Sequence, residues 1–162
     1  MSEASEAAHI YIQMADFINH DGARKLNIVG GGINILGLQP TIGTTTGFHV
    51  LGRVEVPSRV CPVECAIGLM LVDANNDVVV IPGTDSKLRF AQIQLFEKPQ
   101  VPGVLASPEL CRSHNLILGF AAGLPLQVGS HFSWILRVDN DVDHQERLEF
   151  AVAGPPPPPV LG

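Results

Sequence analysis

Three consecutive glycines, Gly30, Gly31 and Gly32, interrupt a run of strand formers in the stretch KLNIVGGGINILG, residues 25–37. Leu26, Ile28, Ile33 and Ile35 favour extended backbone. A glycine inside a strand weakens pairing and marks a bulge, a bend or a close backbone approach. The stretch therefore predicts one strand running into a kinked corner and a second strand leaving it. Just upstream, Asp21-Gly22 reads as the entry turn.

The rest of the chain carries the same period-two signature. Phe48, Val50, Gly52, Val54 and Val56 alternate with His49, Leu51, Arg53 and Glu55, as in a half-buried strand. His9 to Phe17 alternates imperfectly, with Ile10, Ile12 and Met14 on one face. Further strands are read at Val63–Val72, Val78–Ile81, Leu88–Phe96, Leu116–Ala121, His131–Val138 and Arg147–Val152. The two faces of Leu88–Phe96 are mixed, which places that strand between a core and a partner surface. Trp134, with Leu136 and Val138, is expected between two sheets.

The polar segment Gln39–Gly47 reads as a loop, Asp73–Asp77 and Asp139–Asp143 as turns, and Ser107-Pro108-Glu109 as a short helical turn. Thirteen prolines and sixteen glycines punctuate the chain too often for long helices. About eight or nine strands, most at the 8–12-residue spacing of sandwiches and barrels, predict an all-β fold. The expectation is an antiparallel β-sandwich, immunoglobulin-like or jelly-roll, over residues 9–153. Residues 1–8 are expected to be a flexible N-terminal arm and residues 154–162 a proline-rich tail.

Charge narrows the partners. Ten basic against sixteen acidic side chains give a formal charge of −6, with Lys and Arg scattered along the sequence. Phosphate-backbone binding needs clustered cations, so nucleic acid is not expected. The N-terminal residues lack the basic start and apolar core of a secretory signal, and the longest apolar run, Leu116–Leu126, is about half a membrane span. A leaderless protein without membrane association is expected. Three cysteines, an odd number, fit a reducing compartment better than a disulfide framework.

The motifs that could carry chemistry fall short of it. Gly30–Gly37 lacks the third glycine of a dinucleotide loop, where Ile35 stands, and the Lys-Ser/Thr of a P-loop, where Leu38-Gln39 stand. Cys61, Cys65, Cys111 and His114 have the count of a Cys3His zinc site, but structural zinc sites show tighter paired knuckles. Buried cysteines acting as small hydrophobes is the favoured reading. Asp139, Asp141 and Asp143 mimic the start of a calcium loop, but His144 and Phe150 replace its glycine and glutamate. No Gly-x-Ser-x-Gly elbow occurs, and the six histidines lack metal-ligand spacing. No enzyme activity, cofactor or catalytic residue is assigned.

The tail offers a different kind of site. Pro155, Pro156, Pro157, Pro158 and Pro159 form a polyproline II rod of roughly 15 Å, followed by Val160 and Leu161. It reads either as a solvated end or as a strap docking on an aromatic groove or a neighbouring subunit.

Met14-Ala15-Asp16, Asp21-Gly22 and Lys25-Leu26-Asn27-Ile28-Val29-Gly30-Gly31-Gly32 resemble the opening of a family of small all-β proteins of unknown function from actinobacteria and their phages. Val54-Glu55-Val56-Pro57, Leu71-Val72-Asp73, Gly129–Val138 and Phe150-x-Val152 extend the resemblance over residues 14–153. Cys61, Cys65 and the proline tail depart from it. The resemblance implies a structural or interaction protein located in the virion, an accessory capsid decoration protein that binds the major capsid lattice or another virion protein as a homo-oligomer. The alternative is a ligand- or host-protein-binding β domain in the cytoplasm of a bacterium or prophage host.

Overall fold

The computed structural model describes residues 2–23 and 25–154, which are built mainly from strands. A five-residue helix, α1 (Glu3–Ala7), precedes ten strands. These are β1 (His9–His20), β2 (Leu26–Gly31), β3 (Ile35–Gln39), β4 (Thr44–Thr45), β5 (Phe48–Pro57), β6 (Val63–Val72), β7 (Arg89–Phe96), β8 (Cys111–Phe120), β9 (His131–Val138) and β10 (Gln145–Ala153). They form a sandwich of two sheets, one ordered β2-β1-β5-β8 and the other β4-β3-β10-β9-β6-β7. Every pairing is antiparallel except β3 with β10, which is parallel.

The glycine triplet is where the chain changes sheets. β2 belongs to the first sheet and β3 to the second, and Gly30, near the end of β2, and Gly32, just after it, have φ of +63° and +84°. That left-handed backbone is open to glycine at little cost. Gly31 is not in that region, so an argument from positive φ does not apply to it. It is restricted instead by crowding, since a Cβ there would lie 2.4 Å from Gln13 Nε2.

The core lies between the inner faces. Ile12 and Met14 of β1 and Phe48, Val50, Val54 and Val56 of β5 meet Ile67, Leu69, Leu71, Trp134, Leu136 and Phe150 from the other sheet. Trp134 is fully buried, as its position on an alternating strand implies, and stacks on Phe120 with ring centroids 5.8 Å apart. Its Nε1–H has no hydrogen-bond partner among the described residues. A second, smaller cluster sits on the outer face of the first sheet. There Ala15 and Ile18 of β1 pack with Leu51 of β5, with Leu26 of β2 and Ile117 of β8 alongside.

Three expectations need correction. The N-terminal arm is a docked helical turn, because Ser2 and Ser5 close a capping box and both hydroxyls donate onward to carboxylates of the β9–β10 turn. Val78–Ile81 forms isolated bridges to Val72 and Lys87, not a full strand. Thr44-Thr45, inside the expected loop, pairs with β3 as a short edge. The short turn expected at Ser107-Pro108-Glu109 is present, closed by Leu110 N–H donating to Ser107 O.

Candidate functional site

The cysteines proposed for chemistry from sequence lie near one another at one end of the sandwich, close enough for Cys111 to act on Cys61 and Cys61 on Cys65. Cys61 and Cys65 are buried in the main core, while Cys111 begins the edge strand β8 at partial exposure. Burial pushes all three thiols up, Cys65 to about 11. Thiols held protonated in this way are poor nucleophiles and poor ligands. His114 lies three residues beyond Cys111 on β8, in contact with the Gln92 side chain of β7. Among the described residues, no three His, Cys, Asp or Glu side chains gather as a metal site. The partner-binding candidates Pro155–Leu161 lie outside the described residues.

The aspartates of the β9–β10 turn are occupied structurally. Asp139 and Asn140 take φ of +52° and +57°, and Asp141 N–H donates to Val138 O at 3.0 Å, which is type I′ geometry. Asp139 Oδ1 accepts from Ala66 N–H at 2.8 Å, and its Oδ2 accepts from the Ser2 hydroxyl. Asp141 accepts from the Ser5 hydroxyl at 2.8 Å and from the backbone N–H of Asp143 at 3.0 Å. The Ser5 hydrogen bond is the main reason its carboxyl is held below the usual range. Acidic side chains that resemble the start of a cation loop therefore clip down the N-terminal helix.

Where β7 and β8 face each other, the sandwich is open. A cleft of about 520 Å³ is lined by Gln94, Phe96 and Glu97 on one side and Arg112, Ser113 and His114 on the other. Gln92 and Gln94 point inward with Phe90 and Phe96, so polar amides stand at this edge where the rest of the core is apolar. Burial, helped by His20, keeps His114 below its usual pKa. The ring contacts the Gln92 amide, and no carboxylate or hydroxyl is hydrogen-bonded to it among the described residues.

The outer face of the second sheet is different in character. β7 pairs only with β6, and its outward side chains are Arg89, Ala91, Ile93 and Leu95. Ile93 is 71% exposed and Leu95 51%. Beside them in the β6–β7 register lie Ala66 and Glu64. The segment after β7, residues 97–110, carries exposed Val101, Val104, Leu105 and Leu110, with Leu105 at 93%. Together with Pro99 and Pro102 these residues frame a shallow depression of about 480 Å³. Mixed faces on Leu88–Phe96 were legible in the sequence. The apolar loop was not, because its prolines and valines read as neither strand nor turn.

Comparison with protein-family models, curated proteins and solved structures finds no match to this chain. The resemblance quoted from the sequence is therefore carried by its motif residues alone. No helix among the described residues is long and apolar enough to cross a membrane.

Proposed function

We infer that this is a structural interaction protein, most concretely an accessory decoration protein on the capsid lattice of an actinobacterial phage. One observation carries the reading. An edge strand, β7, presents Ile93 and Leu95 to solvent and continues into a fourteen-residue loop, residues 97–110, rich in exposed apolar side chains. Soluble proteins blunt such edges with Lys, Pro, bulges or covering segments, since an open apolar edge templates association. Apolar surface of this kind marks an interaction site.

The mechanism is adhesion. The sandwich supplies a rigid plate, the outer face of β6 and β7 supplies contact area, and the loop gives a deformable margin that conforms to the partner. Buried, protonated thiols and a neutral, amide-bound histidine support a surface-based role over a reactive one.

Mass spectrometry of purified particles of the encoding phage tests the reading. The protein is expected in them at a stoichiometric copy number, and Ile93→Asp with Leu95→Asp is expected to abolish attachment while leaving the fold intact. Its absence from purified particles, with all of it in the soluble host fraction, would overturn the virion reading and favour a cytoplasmic binding domain.

A further inference from the structure

The other half of that outer face concentrates positive charge. In the register across four strands, Arg89 of β7 pairs with Met70 of β6, Met70 with Ile135 of β9, and Ile135 with Arg147 of β10. One step along the sheet, Arg137 of β9 stands opposite Gly68, which has no side chain to cover it. Three of the chain's seven arginines therefore converge over Met70 and Ile135, which form a buried apolar floor. Their side chains line a depression of about 500 Å³.

Each guanidinium is steadied by neutral partners. Arg147 donates to Ser133 Oγ at 3.0 Å and Asn76 Oδ1 at 2.7 Å, Arg137 to Gln145 Oε1 at 2.8 Å, and Arg89 to Asn140 Oδ1 at 3.4 Å. A guanidinium has five donors, so each keeps most of them for a ligand. No carboxylate of the described residues forms an ion pair with any of the three. The nearest on this face by register, Glu149, is turned to His131 at 3.2 Å.

Diagonal neighbours on one sheet face lie about 7–8 Å apart, so Arg137 and Arg147 repel each other. In a chain of net charge −6, a cluster of cations without counter-charges is an inversion of the surrounding field. Preset planar forks match carboxylates bidentately.

We propose that the Arg89–Arg137–Arg147 face is the docking site for an acidic segment of a protein partner, with carboxylates on the guanidinium forks and apolar side chains over Met70 and Ile135. A protein segment fits better than nucleic acid. The floor is apolar, and the remaining acidic surface would repel a phosphate backbone continuing beyond three contacts. The protein nature of this partner rests on the adhesive reading above, and the site continues the Ile93–Leu95 surface on the same face of the sheet.

The test uses the full chain and three labelled probes: an octapeptide alternating Glu and Leu, the same peptide with Gln for Glu, and octathymidylate. Fluorescence anisotropy is expected to show the acidic peptide binding at least tenfold more tightly than either control, with affinity falling as salt rises. Arg89→Gln with Arg137→Gln is expected to weaken it at least tenfold. This pair is chosen because each side chain makes a single surface contact, and unchanged thermal melting confirms the fold. The Lys counterparts, which keep the charge and lose the fork, are expected to fall between. Undiminished binding in the Gln pair, tighter binding of octathymidylate, or no acidic-peptide binding at low salt would each overturn the proposal. The two readings fail separately: arginine-dependent peptide binding by a protein absent from virions removes only the particle assignment, whereas virion attachment that survives the Gln pair removes only the arginine site.

Discussion

Trp134 gives the most quantitative check on how the two sheets meet. It is the chain's single tryptophan, completely buried, stacked on Phe120 and with an indole N–H that finds no acceptor among the described residues. Trp134→Ala empties the largest buried site and is expected to cost about 3–5 kcal/mol. For a chain of this length that lowers Tm by roughly 6–20 °C.

Trp134→Phe separates packing from hydrogen bonding. The smaller ring keeps the stack on Phe120, and a gap of roughly 40 Å³ at about 24 cal/mol per Å³ costs about 1 kcal/mol. Lost apolar burial adds about 1 kcal/mol more. Against this, the substitution removes a buried donor whose missing partner costs about 1–3 kcal/mol. The net change is expected to lie within about 1 kcal/mol of zero. Urea denaturation followed by far-ultraviolet circular dichroism is the assay, because the intrinsic fluorophore is lost in both variants. A Phe variant as unstable as the Ala variant would refute the reasoning by showing that the indole N–H is bonded. A loss below about 1 kcal/mol for Ala would place the ring outside the core.

At the sheet corner, Gly30→Ala is expected to destabilise the protein by about 1–2 kcal/mol, the cost of a left-handed residue with a Cβ. Gly31→Ala, where φ is not positive and the end of Gln13 must move with a small shift of Ile28, is expected to cost less, as urea midpoints will show. His114 has its pKa held below the ordinary 6.5, so the unfolded chain takes up its proton first. Its contribution to stability is complete above that value and is lost as pH falls through the folded pKa; melts between pH 8 and 5 should show a steeper loss in the native protein than in His114→Leu. Cys61 and Cys65 are expected to resist a thiol reagent at pH 7.5 until the protein unfolds, with Cys111 labelled first. Rapid labelling of Cys65 in the folded protein would contradict its burial.

What the sequence made legible was local. Alternation is a property of neighbouring residues, so β6 and β9 fall at Val63–Val72 and His131–Val138 as read, and β5 differs by one residue at its end. The glycine triplet announced a corner because glycine is a local backbone signal, although only pairing could show that the corner joins two sheets. Relations between distant residues were hidden. Ser2 and Ser5 looked like part of a loose polar end because their acceptors, Asp139 and Asp141, lie more than a hundred residues away. For the same reason Asp139–Asp143 invited comparison with a cation loop. Lys and Arg looked scattered, yet strand pairing brings residues 89, 137 and 147 onto one face.

The four strands that end the two sheets are not equally protected, and that asymmetry is the strongest argument for where this protein meets others. β4 is only two residues long, and β2 is bent by the glycine corner, so neither offers a straight template. β8 lies at the polar cleft, with His114 and Arg112 turned toward β7. β7 has none of these protections. Its eight residues, RFAQIQLF, contain no lysine, proline or glycine, and after one arginine its outward face carries Ala91, Ile93 and Leu95. An edge of this length and composition promotes self-association unless something covers it. The same face gathers the three arginines that no carboxylate of the described residues neutralises, a second unfavourable feature that a partner would relieve. Two independent costs, one hydrophobic and one electrostatic, fall on one side of one sheet, and a single acidic, partly apolar partner would remove both.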